Sequence, residues 1–395
     1  MQKYLKPANV LLPKENFEKW SVIACDQYTS EPEYWEETKI NVGNSPSALN
    51  IILPEVYLQK DNSVRIGEIN KNMIEYKEKG VFNIFDDTLV LTVRTLKDGK
   101  VRTGIVGLID LEDYCYEKGA DTLIRATEAT VVERIPPRVE IRKDATLEIP
   151  HVMLLINDPE KTVIEPLREM AENFTKLYDF TLMQNAGKIM GFKVPDSMVD
   201  GINEELGKLK TDNDGLLFAV GDGNNSLATA KVCYKNHGGN RYALVEIVNI
   251  HDSSLEFEPI YRAVFGVDPE ALINEFAATM GGEYSGSDAH KYICVYGDCE
   301  REISVKKKSK LAVADLQIFL DEYIKRNSDA KVDYIHGIEN TKKLAQKPQT
   351  VGFIFDGMEK DELFPAVSAD GSLPRKTFSM GCADDKRFYL EAREI

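Results

Sequence analysis

The stretch that most constrains this chain is a continuous apolar run, residues 216–220, that ends in Gly221-Asp222-Gly223-Asn224-Asn225-Ser226 and passes into a helical pattern over 227–234. A short apolar run bounded by turn residues has the length of a buried strand, and asparagine and serine are capping side chains. A second strand-like run, 242–250, follows. Strand, loop, helix and strand in succession call for a sheet with a helix packed on it.

The pattern elsewhere agrees. Residues 20–25 are β-rich, and 29–37 carry the cap, proline and acids that open helices. Residues 65–79 place apolar side chains at mostly helical spacing before Gly80. The runs 88–95 and 101–109 are joined by Lys97-Asp98-Gly99-Lys100, a tight-hairpin signal. Residues 151–156 predict a strand and 163–178 a helix. Past residue 267, helices are expected over 269–280, 314–326 and 338–345, and strands over 292–296, 302–305, 351–355 and 387–390. The fold class is therefore α/β in the mixed α+β sense. At 395 residues the chain exceeds the roughly 250–300 that one core supports. Two or three packed subdomains follow: a main domain, 1–265, carrying the Asp-Gly motif, and a C-terminal subdomain, 266–395, contributing loops to the same site.

Charge narrows the partners. The net charge of −16 repels nucleic acid and anionic membrane over the surface as a whole. The expected partner is an anionic small molecule, with no nucleic acid and no membrane; a homo-oligomer stays open. No stretch approaches the ~20 apolar residues of a membrane span, the N-terminus has no signal-peptide run, and the six scattered cysteines read as reduced, mostly buried thiols. A cytoplasmic location is expected. One segment opposes the global sign: Arg125, Arg134, Arg138, Arg142 and Lys143 stand against Glu128, Glu133 and Glu140.

Four constellations could carry chemistry. In the central loop, glycine allows close approach of a phosphate, and free amides at a helix start attract anions. Asp222 could hold a metal ion or orient a hydroxyl for phosphoryl transfer. The same residues also suit a plain capped helix after an Asx turn, and pattern alone does not separate the two. Next, Arg125, Thr127, Glu128 and Arg138 combine clamps for phosphate with a donor and a base, although each arginine could equally sit on an ion-paired face. Third, Arg375-Lys376 lies in a loop bounded by Pro374 and Gly381 that could close over a ligand or be ordinary surface. Last, Cys25-Asp26-Gln27 leaves a strand end, a common place for site residues; Cys25 itself reads as an inert buried thiol. Five histidines without metal-ligand spacing leave a zinc hydrolase unsupported. His336, before a turn, is the one assigned to a site, against the ordinary reading of a lone structural histidine.

At these residues the chain resembles the bacterial and archaeal family of the domain of unknown function numbered 1015. The likeness runs almost end to end, from Trp20-Ser-Val-Ile-Ala-Cys-Asp-Gln-Tyr-Thr29 and Pro54-Glu55-Val-Tyr57, through 125–142 and Val332-Asp-Tyr-Ile-His-Gly337, to Pro374-Arg375-Lys376. The family's Asp-Gly-(His/Asn)-His motif is similar to one in the ParB and sulfiredoxin-like group, which includes nucleotide-binding proteins and a free-serine kinase. That resemblance implies a ParB/sulfiredoxin-like unit and phosphate contact through Asp222, Gly223, Asn224 and the helix start that holds Asn225 and Ser226. The chain departs from the family at Asn225 and at Tyr261, before Arg262, where histidine is usual; neither replacement titrates near neutral pH. The implied function is nucleotide or phosphometabolite binding with kinase-like phosphotransfer, a nucleotide with Mg²⁺ being the expected cofactor. Asp222 and Glu128 would be catalytic, and Arg125, Arg138 and Arg375 would neutralise charge. The alternative is a non-catalytic ligand sensor or interaction protein that lost the motif histidine.

Overall fold

The computed structural model describes residues 2–58, 61–117, 119–128, 130 and 135–395. They form two compact units, Met1–Leu255 with Cys382–Ile395, and Glu256–Gly381. The second unit is thus inserted into the chain of the first.

In the first unit, β1 (Ala8–Pro13) and β2 (Phe82–Thr88) pair as an antiparallel ribbon. Strands β3 (Val90–Thr95) and β4 (Val101–Asp110) make the expected hairpin. Its turn uses Gly99 at φ +88° and a bond from the Leu96 N–H to the Lys100 carbonyl at 2.8 Å. Then come β5 (Tyr114–Cys115), β6 (Ile124–Ala126), β7 (Leu147–Glu148), β8 (Met153–Ile156), β9 (Thr175–Thr181), β10 (Lys188–Lys193), β11 (Phe218–Asp222) and β12 (Tyr242–Asn249). Among the described residues, nine strands lie in one mixed sheet in the order β5-β6-β11-β8-β12-β4-β3-β10-β9. Helices α1 (Phe17–Trp20), α2 (Pro32–Val42), α3 (Ser63–Glu78), α4 (Ile135–Arg142), α5 (Glu165–Met170), α6 (Val199–Asp212) and α7 (Asn224–Asn236) accompany it.

Strand residues alternate between faces, and here both faces are buried. Leu91, Ile105 and Val245 enter one core, with Ile202 and Leu206 of α6 and Leu227 of α7. Their chain neighbours Val90, Val106 and Leu244 enter another, with Trp20, Trp35 and Met73. That is why the strands read as continuous apolar runs rather than as alternation.

Three expectations need correction. Residues 20–25 form no strand; within that run only Ile23 makes a bridge, to Phe388, and the apolar side chains serve packing. The segment 387–390 is likewise no strand beyond that bridge. Residues 163–178 split into α5 and β9, because 175–181 pair with β10 along their length and ladder bonds override the weak helical spacing. Helix α6 escaped notice because Gly201 and Gly207 lower its intrinsic propensity.

The second unit runs β13 (Phe257–Phe265), α8 (Pro269–Thr279), β14 (Ala289–Tyr296), β15 (Cys299–Lys306), α9 (Ala312–Arg326), β16 (Lys331–His336), α10 (Ile338–Ala345), β17 (Thr350–Phe355), α11 (Leu363–Asp370) and β18 (Phe378–Met380). The strands form an antiparallel sheet ordered β15-β14-β17-β13-β16, with β18 on the first part of β13. Asp268 caps α8 by accepting the Ala271 N–H at 2.8 Å. Its Phe276 ring then packs against Tyr292, Phe319 and Phe353. The unit's ends meet, the Gly381 N–H donating to the Glu256 carbonyl at 3.2 Å. After it the chain rejoins the first unit, where β19 (Arg393–Glu394) pairs with β7.

All six cysteines are free; Cys233 and Cys294 are buried, Cys25 and Cys115 half-buried, and Cys299 and Cys382 exposed, against the expectation that most would be buried. Among the described residues no helix is long and apolar enough to cross a membrane.

Candidate functional site

The site is assembled at the end of β11. Opposite β8, Val220 faces Leu154 and Asp222 faces Met153, so Gly221 is an extra residue in the ladder. Such a bulge bends the strand and re-aims the side chain after it, which here is Asp222. Gly223 then turns the chain at φ +83° and stands at the N-cap of α7. A Cβ there would lie 3.0 Å from Val152 Cα and Cγ2. Gly223→Ala is therefore expected to cost about 1–2 kcal/mol of stability from the left-handed backbone, and an unchanged melting temperature would contradict it.

Among the described residues no side chain caps α7. The amides of Asn224, Asn225 and Ser226 find no acceptor among the described residues, while the Leu227 N–H closes the first turn on Gly223. Asp222 Oδ1 accepts the Gly223 N–H at 3.0 Å. Among the described residues its Oδ2 is buried without a hydrogen bond, and Lys386 Nζ stands 3.7 Å away. The Oδ1 atoms of Asn224 and Asn225 are buried without partners among the described residues as well. Thr127 ties the neighbouring strand to this loop, donating to the Val220 carbonyl at 2.6 Å and facing Asn224 Nδ2 at 3.5 Å.

Ser226 leads to a second group of residues. Its Oγ lies 3.1 Å from His151 Nε2, and His151 Nδ1 lies 2.8 Å from the Tyr389 hydroxyl. That hydroxyl accepts the Cys25 N–H at 3.3 Å. Burial first, then the neighbouring Cys25 and Asp26, hold the Tyr389 phenol well above its ordinary value, so it keeps its proton. His151 thus links the Tyr389 and Ser226 hydroxyls through its two ring nitrogens. Asp26 Oδ2 sits 3.8 Å from the same Nε2. Burial would raise the Asp26 carboxyl, but His151, the Gln27 amide at 3.0 Å and Lys386 outweigh it and hold it below the usual carboxylate range. Burial and Asp26 push the Cys25 thiol up to about 12, in keeping with an inert cysteine.

Of the residues singled out by sequence, this geometry joins Asp222, Gly223, Asn224, Asn225, Ser226, Thr127, Asp26 and Gln27. Arg125 is buried and directed to Asp121 at 2.6 Å and the Thr122 carbonyl at 3.0 Å. Arg138, on α4, pairs with Glu55. Glu128 is half-buried, and Glu133 and Arg134 lie outside the described residues. The other predicted residues belong to the second unit. There Arg262 is fully buried and donates to Gln317 Oε1 and to the Ile260, Lys376 and Arg375 carbonyls at 2.6–3.2 Å. It holds the 375–376 turn, in which Lys376 takes φ +58° and Arg375 reaches the Tyr334 hydroxyl at 2.9 Å. Tyr261 is buried edge-on against Phe355, and His336 is exposed at the end of β16.

Sequence reasoning missed His151, Lys386 and Tyr389. They come from segments remote from the motif, and the only local signal was the basic pair Lys386-Arg387 after two acids, resembling the pair at 375–376. Their placement depends on buried arginines. Arg94 donates to the Asp384 and Lys386 carbonyls, and Arg102 to that of Asp385 at 2.6 Å. Arg387 donates to the Pro150 carbonyl at 3.0 Å, just before His151.

Among the described residues no three His, Cys, Asp or Glu side chains converge on a metal position. Asp222 Oδ2, which among the described residues has the Lys386 ion pair but no hydrogen bond, suits a single carboxylate ligand to Mg²⁺, an ion that takes its other oxygens from phosphates and water.

None of the curated proteins matches the chain. Solved structures similar to it include a mutant free serine kinase in complex with AMP, at 11% identity and TM-score 0.42, with 74% of this chain and 92% of that one covered. A conserved hypothetical protein from Pyrococcus furiosus is similar at 11% and TM-score 0.38, covering 73% and 94%. SbnI from Staphylococcus aureus, truncated at its C-terminus, is similar at 12% and 0.38, covering 72% and 85%. A family profile matches residues 5–392, nearly the whole sequence, and the chain belongs to that family, DUF1015, described as a protein of unknown function.

Proposed function

We propose that the first unit binds a nucleotide or phosphorylated metabolite through its phosphates at residues 221–226, and acts from that loop as a small-molecule phosphotransferase. One observation carries the reading: a helix start that is uncapped among the described residues, with three amides free, is flanked by the Lys386 ammonium and the His151 imidazole. Amides, helix dipole and cation together favour a multiply charged anion. They do so in a chain whose net charge of −16 would otherwise repel one.

Each residue has a part. Gly223 lets the phosphate reach the backbone, and Asn224, Asn225 and Ser226 present the amides. Lys386 neutralises charge, a part first assigned to Arg125, Arg138 and Arg375. Asp222 serves the transfer, taking the proton of an acceptor hydroxyl or holding Mg²⁺ against the phosphates. The imidazole that Asn225 lacks is supplied by His151.

Titration calorimetry with ATP, ADP and inorganic phosphate tests this reading. The native chain should bind at least one of them, and Lys386→Met should weaken binding by about tenfold or more, the worth of one charge-assisted hydrogen bond. No binding to the folded protein, or equal affinity in the variant, would refute it. Binding without turnover of any acceptor would favour the ligand-sensing alternative, to which Asn225 also points.

A further inference from the structure

Beside the loop, the first unit contains a cavity of about 150 Å³. Its wall is mostly hydrocarbon, with Ile51, Ile52, Met73, Ile141, Leu227 and Leu244 prominent, and Ser226 and His151 form a polar stretch. The charged groups on the wall are matched, Arg138 by Glu55 and Arg142 by Glu148. Among the described residues, then, the cavity offers apolar surface, no unbalanced charge, and one polar corner in the first turn of α7.

The corner has hydrogen-bonding capacity to spare. Ser226 Oγ shares one hydrogen bond with His151 Nε2, and Tyr389 occupies Nδ1. A hydroxyl both donates and accepts; the His151 contact uses one of these roles, and no other group among the described residues fills the second. A ligand hydroxyl reaching that corner can fill this second role, because it too both donates and accepts. Aliphatic cavities of about this volume take guests the size of benzene. A phosphate, which needs counter-charge, is not suited to such a wall.

We infer that this cavity seats a neutral alcohol with a compact apolar body of about six to eight non-hydrogen atoms, its hydroxyl at Ser226. Next to a phosphate loop, such an alcohol is the acceptor substrate. Only the word acceptor rests on the phosphate reading; the site itself does not.

The test uses the full chain with benzyl alcohol and toluene as probes, followed by ligand-observed NMR, with ATP titrated separately. Benzyl alcohol should bind saturably and more tightly than toluene. Ala145→Phe and Ile52→Phe, which fill the cavity from two sides, should each weaken benzyl alcohol at least tenfold and leave ATP affinity unchanged. Ser226→Ala should abolish the preference for the alcohol over toluene. Thermal melts identify any variant that fails to fold, and the other filling variant then decides. Absence of saturable binding to the native protein, or equal binding by a folded cavity-filled variant, overturns the inference. Benzyl alcohol binding with no ATP binding would remove the phosphate reading and keep the cavity; the reverse would do the opposite.

Discussion

Arg387→Met is expected to destabilise the first unit by about 3–5 kcal/mol, the usual cost of removing one partner from a buried ion pair. Arg387 is 3% exposed and bonds Glu246 and Glu391, each at 2.6 Å. Glu246 also accepts the Thr92 hydroxyl at 2.8 Å, and Glu391 accepts that of Tyr178. Methionine fills the volume but leaves two carboxylates in the core with no guanidinium between them. Both tryptophans, Trp20 and Trp35, lie buried in the first unit, so their fluorescence in a denaturant titration reports that unit alone. An unchanged midpoint would contradict the assignment.

The pH dependence follows with a definite sign. Burial alone would raise Glu246; Arg387 and Arg102 outweigh burial and hold it below its ordinary value of 4.5. A depressed carboxylate gives stability that is complete above its unfolded value and is lost as pH falls through the folded one. The native protein should therefore keep this contribution down to pH 4.5 and lose it only below. In Arg387→Met, Glu246 is pushed up, and acid unfolding should begin at a higher pH.

The second large effect is on chemistry. Asp222→Asn should lower nucleotide-dependent turnover by at least about 100-fold, the low end of what a positioned base supplies, with phosphate affinity kept. Asparagine retains an oxygen for the Gly223 N–H, so the turn and the melting temperature should survive. Turnover equal to that of the native protein would remove Asp222 from the mechanism.

Local signals in the sequence were reliable where local physics decides the structure. The Asp98-Gly99 turn, the strand and helix around Asp222, and helices α8 and α10 were legible because turn residues, capping and period-3.6 spacing act within a few positions. Residues 20–25 and 175–181 were misread because what they do is set by distant partners, Phe388 and β10. The site divides in the same way. Residues 222–226 announced themselves, whereas Lys386 and Tyr389 reach the site only because buried arginines on strands β3 and β4 seize the carbonyls of residues 384–386, which no spacing rule reveals. His336 drew attention from its local setting, while His151 acquires its role from Tyr389, 238 residues away in sequence.

The interrupted course of the first unit bears on how the chain is made. Residues 382–395 supply Lys386, Arg387, Tyr389 and the strand paired with β7, and they follow the whole insertion. A ribosome moving from N- to C-terminus must release all of 256–381 before these parts exist, and domains usually fold in order of emergence. Here the inserted unit, whose ends hydrogen-bond to each other, can close first. The older segment must wait, its sheet formed but two buried glutamates without their cation. A chain that stops before residue 386 lacks Lys386 and Tyr389, so the surroundings of the loop 221–226 are completed only after the inserted unit has been made.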